Sequence, residues 1–206
     1  MENQITETEV SSVQSNKLLL WYQAYRKPLL GIACVLLIGI CYFSFILFRS
    51  NTSIQKISYI TIRSGSSYSD VLKECRGVLF NIDRFEKVAS WFDLEKRFKP
   101  GRYKIEPGMN SFQIVRMIRG GLQEPVKFRV KEERYLSKEV LVREMDLALE
   151  VSADSLLWYL NDPEYCQTLG FTPETVIGIF APNTYEFYWT QSVHTILQKF
   201  IDQYNR

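Results

Sequence analysis

The chain has 206 residues, of which 46% are hydrophobic and 23% charged, and its formal net charge is +2. A nucleic-acid-binding protein is expected to carry a clustered basic face, so the near balance of 25 basic and 23 acidic residues argues against nucleic acid as a partner. With one histidine and four cysteines in no metal-type spacing, the sequence predicts neither a metal centre nor another cofactor.

The first predicted element is an uncharged apolar stretch over residues 29–48, LLGIACVLLIGICYFSFILF. A helix that rises about 1.5 Å per residue needs roughly 20 apolar residues to cross a bilayer. A buried helix of a soluble protein rarely stays this apolar, and a signal peptide has a shorter apolar region that ends at a small-residue cleavage site. Here Arg49 directly follows Phe48, so the sequence predicts one retained transmembrane helix.

Residues 1–28 are predicted to form a cytoplasmic tail, and residues 1–16 to be disordered, because they are polar and lack apolar periodicity. Three cations precede the span and three follow it, so charge alone does not set its orientation. They are Lys17, Arg26, Lys27, Arg49, Lys56 and Arg63. A short tail before a large remainder favours a single-pass protein of the inner (plasma) membrane, with its N-terminus in the cytoplasm and its bulk outside.

Beyond a predicted linker, residues 49–56, a strand–turn–helix pattern occurs twice. The triplets 60–62 and 103–105 alternate apolar and polar residues, as strands do. Each triplet is followed by a glycine that permits a turn and then by a residue that can cap a helix. The glycines are Gly65 and Gly108, and the capping residues are Ser67 and Asn110.

A further amphipathic helix lies between the two patterns and is predicted to end at Pro100 and Gly101. Its apolar face consists of Phe85, Val88, Ala89 and Phe92. The resulting order of strand, helix, helix and strand from Ser58 to Ile105 resembles a LysM domain, a small module that binds peptidoglycan or chitin. We therefore predict a LysM-like βααβ unit over residues 57–125.

Residues 126–206 are predicted to begin a second α+β domain, which makes the fold class α+β with a single N-terminal transmembrane helix. The strand 128–130 starts a looser third copy of the pattern, with Glu133 in place of the glycine and a helix over about 137–149. A helix over 152–160 and a final helix from Ser192 follow. The final helix carries an apolar stripe for which the sequence shows no evident cover.

Two phrases and the span make residues 57–206 resemble the YceG-like (MltG) endolytic murein transglycosylases. Residues 99–105, KPGRYKI, with Pro-Gly-Met at 107–109, are similar to the family's K-x-G-x-Y-x-(L/I)-x-x-G-M. Residues 180–189, FAPNTYEFYW, are similar to the family's (L/M)-F-P-(D/N)-T-Y-x-(F/V). Where the family often opens its third unit with Pro-Glu-Gly, this chain has Lys-Glu-Glu at 131–133.

The resemblance implies an enzyme that cleaves nascent peptidoglycan strands internally, leaves 1,6-anhydro-N-acetylmuramic acid ends and works beside the peptidoglycan synthases. Such chemistry needs one carboxyl of raised pKa, which protonates the leaving oxygen and then deprotonates the 6-hydroxyl. The family's catalytic glutamate lies on a downstream helix with a pattern like A-S-(I/V)-(I/V)-E-x-E, which this sequence lacks. We therefore expect that glutamate beyond Arg206, in which case the chain is a fragment without its catalytic residue.

The second phrase contains the candidate substrate-binding residues Asn183, Tyr185, Tyr188 and Trp189. Their aromatic rings could stack on sugars or could belong to the core, and Asn183 could serve only the turn at this point of the chain. Glu186 is a conceivable substitute acid, although a surface glutamate in an aromatic strand is more often structural.

The alternative function is a non-catalytic, membrane-tethered peptidoglycan-binding or scaffold protein that uses the LysM-like unit alone. Outside the predicted span, Cys75 and Cys166 are expected to be structural thiols or to form one disulfide. His194 is expected on the polar side of the last helix, exposed to solvent.

Overall fold

The computed structural model describes the backbone of residues 3–131 and 137–206, and the side chains of residues 26–131 and 137–206. The chain forms two compact units, residues 1–49 and residues 50–206. Glu132 and Glu133, where the sequence departs from the family's third turn, lie outside the described residues.

The first unit is the helix α1, Asn3–Phe48. Its segment Arg26–Phe48 is long and apolar enough to cross a membrane, and only 6% of its most apolar part is buried. A core helix of a soluble protein would be covered by its neighbours, whereas Leu37 and Ile38 are 60% and 69% exposed. One apolar helix of the predicted length is therefore confirmed, and its orientation remains a prediction.

The helix α1 begins much earlier than the predicted span. The sequence predicts disorder for residues 1–16, but the backbone is helical from Asn3. The lack of apolar periodicity in residues 1–16 argues against a helix face that packs on a core. It does not argue against a helix that extends from the apolar segment that follows. Glu, Gln and Lys have favourable helix propensities, and adding residues to an existing helix avoids the unfavourable nucleation step.

The second unit begins directly after α1, with residues that the sequence predicts to be a linker, 49–56. Residues 50 and 52 each form an isolated antiparallel bridge within this unit. The amide of Asn51 is fully buried and donates to Asn81 O at 2.7 Å and to Ser111 Oγ at 2.9 Å. The start of the predicted linker is thus part of the fold, because its short polar side chains find partners far along the sequence.

The first lobe of this unit, residues 50–125, has the predicted order of strands and helices. Its elements are β1 (Ser58–Ile62), α2 (Tyr68–Arg76), α3 (Ile82–Trp91), α4 (Leu94–Arg97), β2 (Gly101–Ile105) and α5 (Ser111–Gly120). β1 and β2 pair antiparallel, with Ser58 opposite Ile105 and Ile62 opposite Gly101. The order and the pairing agree with the prediction, while the likeness to a LysM domain stays a prediction.

The repeated strand–turn–helix pattern is confirmed in its local chemistry. Gly65 and Gly108 have φ angles of +81° and +87°, which glycine adopts without steric cost. Ser67 and Asn110 cap α2 and α5, and each forms a reciprocal capping box with the residue three positions later. Local residue choice therefore specifies both turns.

The helix that the sequence predicts to reach Pro100 ends earlier, at Trp91. Asp93 has a left-handed backbone, with φ +50° and ψ +40°, and this conformation separates α3 from the short α4. Asp enters that region more readily than most residues, although no sequence signal required it to do so here. The predicted inner face is still present, with Phe85 and Val88 fully buried.

The second lobe, residues 126–206, contains the predicted strand and helices. Its elements are β3 (Val126–Val130), α6 (Lys138–Ala148), α7 (Ala153–Asn161), α8 (Pro163–Thr168), a 3₁₀ turn (Val176–Ile179), β4 (Asn183–Phe187) and α9 (Val193–Tyr204). β3 and β4 pair antiparallel, with Val126 opposite Phe187 and Val130 opposite Asn183. The structure is thus a mixed helix–strand fold with two small sheets.

The apolar stripe of α9 is covered within the chain, contrary to the expectation that it lacks a partner. Ile196, Leu197 and Phe200 are fully buried in the core of the second lobe. The ring of Phe200 lies 4.3 Å from that of Tyr185 and 5.5 Å from that of Phe187, centroid to centroid. The stripe faces β4, a strand that sequence periodicity alone does not pair with it.

Cys75 and Cys166 are free, buried thiols, one in each lobe. Burial raises the pKa of Cys75 to about 12 and also raises the pKa of Cys166. The sequence allowed either two structural thiols or one disulfide, and the structure has two structural thiols.

Candidate functional site

The strand β4 and the turn after it present the residues of the second sequence phrase. Tyr185 points into the core, with 6% of its surface exposed. Its hydroxyl donates to Ala181 O at 2.8 Å, and burial raises its pKa. The structure therefore places Tyr185 as a structural residue that fastens the start of β4.

Asn183 lies exposed at the first position of β4. Its Oδ1 accepts a hydrogen bond from the N–H of Thr184 at 2.7 Å, a contact that shapes the entry into the strand. His194 is exposed at the start of α9, as predicted. Neither residue is brought close to the core of the lobe.

Tyr188 and Trp189 follow β4 in a turn that is fixed by its own hydrogen bonds. Tyr188 N donates to Gln191 Oε1 at 3.0 Å, and Gln191 N donates to Tyr188 O at 3.0 Å. Tyr188 is 50% exposed and Trp189 is half-buried. Two aromatic side chains are thus held on a rigid turn with ring surface open to solvent.

This turn, residues 188–191, lies at the junction of the two lobes. The carbonyl of Trp189 accepts from Glu150 N at 2.9 Å. Both carboxylate oxygens of Glu150 in turn accept from Ser64 of the first lobe, from its N–H at 2.6 Å and from its hydroxyl at 2.6 Å. Ser64 and Glu150 were not identified from the sequence, since a single Glu after a helix carries no motif.

Gln123 makes the second connection between the lobes. Its Nε2 donates to Thr190 Oγ1 at 3.0 Å and to Pro100 O at 3.3 Å. Its Oε1 is buried and accepts no hydrogen bond from the described residues. Gln123 thereby links the first sequence phrase, which contains Pro100, to the turn that ends the second.

Gly101 of the first phrase is required by this arrangement. A Cβ atom at Gly101 would lie 2.4 Å from Cδ of Gln123, and the φ angle of +154° is one that other residues rarely adopt. Two residues further on, the buried hydroxyl of Tyr103 donates to Lys99 O at 2.6 Å. These two positions of the phrase therefore shape the wall on which Gln123 packs.

Three carboxyl groups of the described residues lie in environments opposite to the one that the acid of a transglycosylase needs. The buried polar residues in the described part of the chain are Asn51 and Ser111, and neither is acidic. Hydrogen bonds lower the pKa of the carboxyls of Asp70, Glu139 and Glu174. A general acid would instead need a raised pKa in an apolar environment.

Glu186, the conceivable substitute acid, points outward from β4. One of its carboxylate oxygens lies 3.8 Å from Nζ of Lys127, and both side chains are mostly solvated. Within the described residues, no three His, Cys, Asp or Glu side chains come together as metal ligands. The groups that this site presents to solvent thus include the aromatic residues Tyr188 and Trp189 and the side-chain amide of Asn183.

The structure combines one N-terminal helix that is long and apolar enough to cross a membrane with a mixed helix–strand unit. The YceG-like family model matches residues 60–206, and the chain belongs to the YceG-like family. A crystal structure described as that of a yceG-like protein from Listeria monocytogenes is 20% identical, with a TM-score of 0.39. The match covers 74% of this chain and 55% of that one, so this chain spans little more than half of its neighbour's length. Comparison with curated proteins gives no match.

Proposed function

We propose that this chain is part of a membrane-anchored lytic transglycosylase. The enzyme would cut nascent peptidoglycan strands internally and leave 1,6-anhydro-N-acetylmuramic acid ends. The observation that carries the proposal is the family match over residues 60–206 directly behind an apolar helix of membrane-spanning length. That combination suits an enzyme held at the membrane surface, where new glycan strands emerge and where peptidoglycan synthases would be its neighbours.

The reaction would need one carboxyl and no activated water. The carboxyl protonates the glycosidic oxygen as the C1–O bond breaks, and then takes the proton of the muramic 6-hydroxyl as the new C1–O6 bond forms. Because the sugar supplies its own nucleophile, the second carboxylate of ordinary glycosidases is not required. We assign this acid to none of the described residues, whose part in the reaction is to hold the strand.

The turn 188–191 is the best candidate for contact with the strand. Aromatic rings such as those of Tyr188 and Trp189 stack on the apolar faces of sugars, and a rigid turn loses little conformational freedom on binding. Asn183 offers an exposed side-chain amide at the other end of β4. The buried Tyr185 supports these residues from beneath without touching the glycan.

Binding can be tested with the purified full chain in a neutral detergent and isolated peptidoglycan sacculi. Replacing Tyr188 and Trp189 together by Ala should weaken binding to sacculi roughly thirtyfold, since each of the two stacked rings contributes about 1 kcal/mol. The matched control is Trp158→Ala, which removes a ring that is 63% exposed on α7. Equal weakening by the control, or none by the double variant, would rule out the turn as the contact.

The reaction can be tested in cells by deleting the gene that encodes the chain. The proposal predicts longer glycan strands and fewer internal anhydro ends, measured by mass spectrometry of digested peptidoglycan. Complementation with Glu186→Gln should restore both values, because Glu186 is a solvated surface residue. Unchanged strand length and anhydro content after deletion would refute the enzymatic role.

A second candidate is a non-catalytic, membrane-tethered peptidoglycan-binding or scaffold protein. It is favoured by one observation, that no described carboxyl has the buried environment of a general acid. Because it uses the LysM-like unit alone, this candidate predicts normal anhydro content in the deletion strain together with sacculus binding that survives replacement of Tyr188 and Trp189. The two candidates therefore differ in the anhydro ends and in whether sacculus binding depends on the turn 188–191.

A further inference from the structure

We propose that an open pocket between α4 and α5 binds a phosphate-bearing ligand. The pocket has a volume of about 780 Å³, within the range of small-molecule sites. No acidic residue of the described chain lines it, and half of its lining residues are cationic. These are Lys96, Arg97, Lys99, Arg116 and Arg119. Neither the YceG-like assignment nor the proposed glycan contact accounts for this concentration of charge.

The helix α5 supplies one wall of the pocket from a single face. Phe112, Arg116 and Arg119 are spaced by four and three residues, and side chains at that spacing stand above one another on a helix. Arg116 is exposed and Arg119 is half-buried. Two guanidinium groups therefore reach the pocket side by side, next to an aromatic ring.

The opposite wall contains a lysine whose position is fixed by the fold. Lys99 N donates to Ile118 O at 3.2 Å, and Lys99 O accepts from the hydroxyl of Tyr103 at 2.6 Å. Its side chain lies against Gly121, where an added Cβ would come within 2.8 Å of Cδ of Lys99. The left-handed φ of +70° at Gly121 also suits glycine. Lys99 is thus preorganised beside the end of α5.

The cations of the pocket are not neutralised by the protein. Among residues 26–131 and 137–206, none of the five forms an ion pair, in contrast to Lys104 with Glu106 and Lys127 with Glu186. Asp93 and Glu95, the acids closest in sequence to Lys96, line a separate pocket that Lys96 also reaches. Lys96 is thus shared with an acidic pocket, while the other four clustered cations repel one another, so the pocket favours a ligand that carries more than one negative charge.

The chemistry of the walls favours phosphate. The planar fork of Arg matches two phosphate oxygens at once, and Lys adds a point charge. The rings of Phe92 and Phe112 pack with their centroids 5.2 Å apart and give the cationic pocket an apolar side. A phosphate on an apolar or sugar-bearing carrier fits both features. A phospholipid headgroup and a soluble phosphate ester or pyrophosphate share this chemistry.

The test uses the full chain in an uncharged detergent and isothermal titration with inorganic pyrophosphate. We expect saturable binding that Arg116→Gln with Arg119→Gln weakens roughly a hundredfold, because each of the two lost charged hydrogen bonds is worth about a factor of ten. The matched control is Lys73→Gln with Arg76→Gln, two exposed cations at the same spacing on α2 and outside the pocket. Thermal unfolding of both variants verifies that they fold.

A second titration distinguishes the sources of the phosphate. Glycerol 3-phosphate carries close to two negative charges at neutral pH and represents a phosphomonoester lipid headgroup, and comparable affinity for it and for pyrophosphate identifies a headgroup site. A strong preference for pyrophosphate identifies a soluble phosphate site. In either case the loss of affinity must occur in the Arg116 and Arg119 variant and not in the control variant. Absence of saturable binding for both probes, or equal weakening in the control, overturns the proposal, and neither result depends on peptidoglycan cleavage.

Discussion

Single residues of the first sequence phrase act through contacts that lie outside the phrase. Gly101 has its φ of +154° and its missing Cβ because Gln123 packs directly against it. Gly108 also has a positive φ, of +87°, but an added Cβ there would meet no atom within 4 Å. Substituting each glycine in turn therefore distinguishes the cost of backbone strain from the cost of a steric clash.

We predict that Gly101→Ala destabilises the protein more than Gly108→Ala does. The second substitution should cost about 1 kcal/mol of unfolding free energy from backbone strain alone. The first also forces the flexible side chain of Gln123 to move and give up its hydrogen bonds to Thr190 and Pro100, so it should reach about 2–3 kcal/mol. Urea denaturation of the full chain in detergent gives both values, and equal losses would show that the close approach is not what requires glycine at 101.

The hydroxyl of Tyr103 offers a second test at this scale. It donates to Lys99 O at 2.6 Å from a fully buried ring, and burial raises the pKa of Tyr103 to about 12. Tyr103→Phe should cost about 1 kcal/mol, because the partly buried hydrogen bond to Lys99 O is lost. Tyr59→Phe on the facing strand is the control, since that ring is 40% exposed. If denaturation midpoints fall equally in both variants, the buried bond contributes nothing specific.

At the scale of elements, α2 contains a group that couples stability to pH. The pKa of Cys75 is raised to about 12 by burial, compared with about 8.5 in an unfolded chain. The folded state therefore binds the proton more tightly, and this contribution is complete below pH 8.5 and declines as pH rises toward 12.

We predict that unfolding free energy falls between pH 8 and pH 9.5 less steeply in Cys75→Ala than in the unchanged chain. The difference in slope should approach about 1 kcal/mol per pH unit at the upper end of that range. Cys166 is present in both proteins and cancels in the comparison. Identical slopes in urea titrations at several pH values would mean that the Cys75 thiol does not carry the effect.

Whether the apolar part of α1 spans the membrane can be tested by introducing pairs of arginines at two positions along it. Leu37→Arg with Ile38→Arg puts two cations at the middle of the span, where each costs about 2.5–3.5 kcal/mol. Leu29→Arg with Leu30→Arg puts them at its end, where long side chains reach the interface. Alkaline carbonate should release the first variant from membranes and leave the second bound. Release of the unchanged chain, or equal release of both variants, would indicate that this helix does not anchor the protein in the bilayer.

At the scale of the molecule, features set by neighbours in sequence were predictable and features set by distant partners were not. The turns at Gly65 and Gly108, the caps that follow them and the apolar helix all rest on local rules. The burial of Asn51 depends on groups 30 and 60 residues away. The break at Asp93 carries no sequence signal that distinguishes it from a continuous helix.

The same distinction applies to the candidate site. Tyr188 and Trp189 could be selected from the sequence because aromatic residues cluster in a recognisable phrase, and the structure leaves ring surface exposed on both. Tyr185 belongs to the same phrase, but its inward direction follows from the pairing of β4 with β3. Glu150 and Ser64 meet across 86 residues, and neither lies in a motif. The link between the lobes is therefore a property of the tertiary structure alone.

The membrane topology of the chain decides whether any peptidoglycan is within reach of this site. A cysteine at Tyr188 suits a labelling test, because Tyr188 is 50% exposed whereas Cys75 and Cys166 are buried. The remaining two cysteines, Cys34 and Cys41, lie within the apolar segment of α1. The background from native thiols should therefore be low.

The most direct measurement is labelling of Tyr188→Cys in intact cells with a membrane-impermeant maleimide. Ser11→Cys, in the N-terminal tail, serves as the opposite marker. We predict that the cysteine at 188 reacts without permeabilisation and the one at 11 only after it. Reaction at 188 only after permeabilisation would place the second unit in the cytoplasm, and the proposed action on peptidoglycan would be contradicted.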